Sequence, residues 1–192
     1  LGNFEDAVIG YQRALGLDSK DAQIKFEYAL SLYYSDTVEE TVFDKLVEAQ
    51  KVINASTPEN RKRQIYEWLT FIALYFPIPR GYEMVIKYAE DYLKTSTMKS
   101  GRIMVHLAAA YGQKAADLKS QEKNFDVERD AAFKMAQNAI NLDKDRWLVL
   151  LRMLWYPSYP DKDSDETDLE IFYGDEKFIK LLSTNQVHTT DV

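Results

Sequence analysis

The stretch Leu1–Tyr34, LGNFEDAVIGYQRALGLDSKDAQIKFEYALSLYY, decides the fold. Ala7, Tyr11, Ala14 and Leu15 recur three or four residues apart, so they fall on one face of a helix running from Glu5 to Leu17. Gly16 weakens its last turn, and Asp18-Ser19 ends it. After the polar break Ser19-Lys20-Asp21, a second amphipathic segment presents Phe26, Tyr28, Ala29, Leu32 and Tyr33. Small residues stand where one helix would press on another, with large ones beside them, so Leu1–Tyr34 reads as the second half of one helical hairpin leading into the first half of the next.

Working outward, Asp21 caps the helix 22–34, and Ser35-Asp36 stops it. Thr37 followed by Glu40 has the pattern of a capping box for a third helix reaching about Ala55, with Val42, Leu46, Ala49, Val52 and Ile53 inward. Pro58 suits a first helical turn, and 61–76 follows, its aromatics Tyr66, Trp68, Phe71, Tyr75 and Phe76 pointing several ways. Pro77-Ile78-Pro79 breaks the chain, after which helices are expected over 81–95, 99–118, 127–142 and 147–156. An acidic loop, 161–168, precedes an amphipathic capping helix, 169–183, and 184–192 is expected to be a disordered tail. No segment alternates with period two, so the chain reads as all-α.

The recurrence from 1 to about 160 resembles the tetratricopeptide repeat family in degenerate form. The first-helix pattern of a large residue, a small one and then an aromatic or Leu three positions on is matched by Tyr28-Ala29 with Leu32, Ile72-Ala73 with Phe76, and Leu107-Ala108 with Tyr111. The second-helix pattern is matched by Ala7, Tyr11 and Ala14, and by Ala132, Ala136 and Ala139 without the aromatic. Ile72 and Leu107 stand 35 positions apart, close to the family period of about 34. Tyr28 to Ile72 is 44, and Leu107 to Met153 is 46, which places insertions in those units. The resemblance implies a right-handed α-α superhelix of about four stacked antiparallel hairpins. First helices would line a concave groove that takes a peptide or helix. Projected on this chain, that groove holds Gln23, Phe26 and Tyr33, then Glu67, Thr70 and Leu74. Arg102, Val105, His106 and Ala109 follow, and Leu148, Leu151 and Arg152 complete it. The Lys/Asn ladder by which some members clamp a chaperone's C-terminal carboxylate is not matched, so chaperone-tail binding is not expected.

Composition narrows the function. Hydrophobic residues make up 46% of 192 and aromatics 13%, enough for a real core. A net charge of -7 opposes phosphate-backbone or anionic-membrane binding, which need a cationic surface. With no cysteine there is neither disulfide nor thiolate chemistry. No apolar run approaches the roughly eighteen residues of a membrane helix. The chain lacks an initiator Met and starts within a repeat-like unit, so it is expected to be a fragment of a longer protein.

Catalytic constellations are missing from the sequence. Neither His106 nor His188 is spaced with a carboxylate as a metal pair. Asp161-Asp163-Asp165 begins like a calcium loop, but Glu166 stands where that loop needs Gly and Phe172 where it needs a bidentate Glu, so it reads as a solvated acidic loop. No phosphate loop, G-x-S-x-G or H-E-x-x-H occurs. Arg61-Lys62-Arg63 reads as a solvated basic face. The expectation is a soluble, cytoplasmic, non-enzymatic interaction scaffold for a protein or peptide partner, with no cofactor, metal, nucleic acid or membrane insertion. Two other readings are a regulatory arm of a larger enzyme and a helical enzyme holding a small ligand between Trp68, Trp147 and Trp155. A raw hairpin face at Leu1 would also permit self-association.

Overall fold

The computed structural model describes residues 4–17, 20–156 and 167–183. Among them are nine α-helices and no strand: α1 (Phe4–Leu17), α2 (Ala22–Tyr34), α3 (Glu39–Lys51), α4 (Glu59–Leu74), α5 (Arg80–Thr95), α6 (Gly101–Ser120), α7 (Asp126–Leu142), α8 (Lys144–Trp155) and α9 (Glu176–Leu182). A single 3-10 turn, Glu170–Phe172, lies between α8 and α9. None of these helices is long and apolar enough to cross a membrane. Expectations for Leu1, Gly2, Asp18-Ser19, the calcium-like run 161–166 and the tail 184–192 lie outside the described residues.

Short polar side chains start several helices by accepting from backbone N–H groups that have no helical partner. Asp21 accepts from Gln23 and Ile24, Ser100 from Ile103, Asp143 from Arg146, and Asp175 from Lys177 and Phe178. The expected capping box at Thr37 does not form. Val38 is the N-cap of α3 and makes no side-chain cap bond. Thr37 is taken up in closing α2 instead: its N–H donates to Leu32 O and that of Asp36 to Tyr33 O, with Asp36 at φ 56. That is a Schellman end with Asp at the left-handed position. α6 ends the same way, with Glu122 at φ 57 donating to Lys119 O and Lys123 donating to Leu118 O.

Each helix packs on its chain neighbours, and α4 on α6 and α6 on α8 besides. Small buried side chains are spread through these packed helices. Ala29, Ala73, Ala89, Ala108, Ala132, Ala136 and Ala139 are all fully buried, because only a small side chain lets two helix axes approach closely. Glycine takes this further at two places on α6. A Cβ on Gly101 would lie 2.2 Å from the Trp147 indole nitrogen, and one on Gly112 would lie 1.8 Å from the Asp168 carbonyl oxygen. Two apolar clusters result, one from α1 to α6 and one from α6 to α9.

The C-terminal segment departs from the expected continuous helix 169–183. It is a 3-10 turn, a break at Tyr173-Gly174-Asp175 with Gly174 at φ 92, and then α9. Leu169 N–H donates to Leu154 O at 3.1 Å, and Trp155 Nε1 donates to Phe172 O at 3.1 Å. Leu169, Phe172, Phe178 and Leu182 are buried. Gly174 supplies a positive φ that lets these four apolar side chains turn onto α6, α7 and α8, which one straight helix would not do.

Candidate functional site

The faces of α4, α6 and α8 that look away from their hairpin partners bound an open cleft of about 660 Å3. Phe71 and Leu74 come from α4 and Tyr75 from its C-cap, while Arg102, Val105, His106, Ala109 and Gln113 stand at helical spacing on α6. Leu150 and Leu154 of α8 form the far wall, and Thr167-Asp168 closes one end where the C-terminal segment crosses α6 at Gly112. Floor and walls are apolar, with a few polar groups set among them.

His106 is the most constrained of these groups. The residue is 8% exposed, and its Nδ1 lies 2.8 Å from Thr70 Oγ1. The same hydroxyl lies 2.8 Å from Tyr66 O. We assign that proton to the Tyr66 carbonyl, the nearer of two helix carbonyls within reach, and in this tautomer Nδ1–H donates to Thr70 while Nε2 keeps a bare lone pair. Burial, aided by the neighbouring Arg102 charge, pushes the imidazole pKa down to about 3, so the ring is uncharged at neutral pH. Gln113 is fixed in a comparable way. Its Nε2 donates to Asp168 Oδ1 at 2.9 Å and to Leu74 O at 3.4 Å. Both neighbours are acceptors, so the amide cannot be reversed, and Oε1 is buried without a partner among the described residues.

An aromatic series leads into the cleft. Phe4 stacks on Tyr34 at 5.2 Å, Tyr33 meets Trp68 at 4.9 Å, Trp68 meets Phe71 at 5.6 Å, and Phe71 lies 6.2 Å from His106. The first contact is stacked, the two through Trp68 are edge-on and the last is tilted, and stacked and edge-on geometries at these separations favour ring pairs.

Of the residues projected into the groove, Arg102 and His106 line the cleft, together with Leu74, Val105 and Ala109. Thr70 is fully buried and acts through His106. Glu67 accepts from Ser100 Oγ at 2.7 Å and pairs with Arg63 at 3.5 Å, so it holds the start of α6. Tyr33 belongs to the aromatic wall. Phe26 is 2% exposed beneath the Arg61 guanidinium, so its ring serves the core and offers no surface to a partner. Gln23 is exposed beside a separate hollow lined by Asn54, Pro58 and Arg61. Arg152 donates from Nε to the Leu182 carbonyl and anchors α9. Leu148 and Leu151 are buried in the core.

Phe71, Tyr75, Gln113, Leu150, Leu154, Thr167 and Asp168 complete the cleft and were not in the projection. Gln113 continues the α6 stripe one turn beyond Ala109, and Phe71 lies one turn after Glu67, so both could have been read from spacing. Asp168 gives no local signal, since only the tertiary crossing at Gly112 brings it there.

The three tryptophans have different surroundings. Trp68 joins the aromatic wall, Trp147 lies on Gly101 beneath Arg146, and Trp155 meets Phe172 O and Tyr173. No cluster of three or more His, Asp or Glu side chains able to hold a metal occurs among the described residues. The chain matches no protein-family model, no curated protein and no solved structure.

Proposed function

We propose that this chain is a non-enzymatic protein-interaction module in which the α4–α6–α8 cleft receives an extended peptide or a helix of a partner. One observation carries the reading: an open cleft with an apolar floor, an aromatic wall and a few fixed polar groups, built from one helix of each successive hairpin. An apolar anchor entering it would leave water, and Arg102 and His106 at its side would set orientation. Support for a tetratricopeptide-like superhelix comes from the order of packing. Neighbouring helices pair, and alternate helices α4, α6 and α8 also touch, as in stacked hairpins.

The test is selection of peptides from a random displayed library on the wild-type chain. Selected clones are then remeasured on Tyr75→Ala with Arg102→Ala, and on the exposed control Lys134→Ala. Both cleft positions are exposed, so the fold is retained. Binding lost in the first variant and kept in the control supports the reading. Clones indifferent to Tyr75 and Arg102 would remove the cleft from it.

A further inference from the structure

Arg102 and His106 stand one helical turn apart on the cleft face of α6, with Cβ atoms roughly 6 Å apart at that spacing. Their hydrogen-bonding characters are opposite. Arg102 is exposed, offers only donors and pairs with no carboxylate among the described residues. In the tautomer assigned above, with Nδ1–H on Thr70, His106 offers only an acceptor to the cleft. No described residue donates to its Nε2, although the side chain is more than nine-tenths buried. A donor beside an acceptor, both unanswered by described residues, selects among ligand groups.

A carboxylate would satisfy Arg102 but bring negative charge against the His106 lone pair. An ammonium would satisfy His106 but face the guanidinium. A neutral amide carries a carbonyl for Arg102 and an N–H for His106. A single backbone peptide bond is trans and points these two groups to opposite sides, so it cannot meet both. The carboxamide of an Asn or Gln side chain presents them along one edge.

We propose that Arg102 and His106 form a subsite for the carboxamide of a Gln or Asn in an extended partner peptide, with a flanking apolar residue seated on Val105, Ala109 and Leu154. This rests on the cleft being a peptide-docking groove. The unpartnered acceptor Gln113 Oε1 is no part of it, since that atom is sealed from solvent.

The experiment titrates end-capped pentapeptides, acetyl-Ser-Leu-X-Leu-Ser-amide with X as Gln, Glu, Lys or Met, into the isotope-labelled full chain, read by heteronuclear NMR. The capped ends exclude capture of a terminal carboxylate. Resonances of 102–109 should move with the Gln peptide, which binds about tenfold tighter than the other three, a difference of about 1.4 kcal/mol. Arg102→Met, at an exposed position, and His106→Phe, which keeps a ring, should each bring Gln and Met peptides to equal affinity. Tightest binding by the Glu peptide, or equal binding by all four at these resonances, overturns the carboxamide subsite and leaves the groove standing. Failure of every peptide to move cleft resonances overturns both.

Discussion

At the scale of single residues, the buried pair Thr70–His106 has consequences that acid reveals. Unfolded, the imidazole takes a proton near 6.5, whereas burial holds it uncharged down to about 3 in the fold. Between those values the unfolded chain binds more protons, so the stabilising effect is complete above pH 6.5 and is lost as pH falls. Each unit corresponds to about 1.4 kcal/mol, so lowering pH from 7 to 5 should cost about 2 kcal/mol through this ring. The carboxylates held low, Glu48, Glu59, Glu90 and Asp130, lose their contribution only near and below their own ordinary values of 4.5 or 3.8. Urea unfolding at pH 7 and 5 should therefore show a slope that His106→Gln abolishes. An unchanged slope in that variant would place the sensitivity elsewhere. Thr70→Val keeps the shape but leaves His106 Nδ1–H without its acceptor, and should cost about 1–3 kcal/mol at pH 7. A variant as stable as the parent would show that the Thr70 contact is dispensable.

At the scale of elements, helix ends and crossings carry the specific predictions. Glu122 sits at φ 57, where a side chain is strained and glycine is not. Glu122→Gly should raise stability by about 1 kcal/mol, measured as a shift in the urea midpoint at constant slope, and a lower midpoint would count against the Schellman end. Gly112→Ala drives a Cβ onto the Asp168 carbonyl and should cost about 1–3 kcal/mol or detach the segment 167–182. Retained fluorescence of Trp155, whose indole bonds to Phe172 O, together with an unchanged melting temperature would refute that crossing. These same elements show what the sequence disclosed. The buried alanines were readable because close crossing permits little else, and Asp21, Ser100 and Asp143 announce their helices through cap chemistry. Thr37 misled because the residue that looks like a cap was already used to finish α2. In the cleft, Arg102 and His106 were placed by projecting the register of the resembled repeat onto α6. Phe26 did not, because placing it needs the depth of the α2–α3 seam, and Leu154 depends on the face that α8 turns inward. Pattern gives the face of a helix, but how deep that face lies is decided by neighbours distant in sequence.

At the scale of the whole molecule, order should be graded along the chain. Packing joins helices close in sequence, and the two apolar clusters meet on α6, which alone buries eleven of its residues. α1 buries none and leaves Phe4, Ile9 and Leu17 exposed. In an array coupled mainly through neighbours, opening starts at the ends and the middle opens last. Native-state hydrogen exchange should accordingly be slowest in α6 and fastest in α1, with α9 intermediate. A lesion should also remain local. Ala29→Trp overfills the α2 crossing, where the alanine is fully buried, and should speed exchange in α1, α2 and α3 while α7, α8 and α9 keep their wild-type rates. A uniform rise across all the helices would mean that the chain opens as one cooperative unit, and the stacked-hairpin reading would then fail on energetic grounds even with every helix in place.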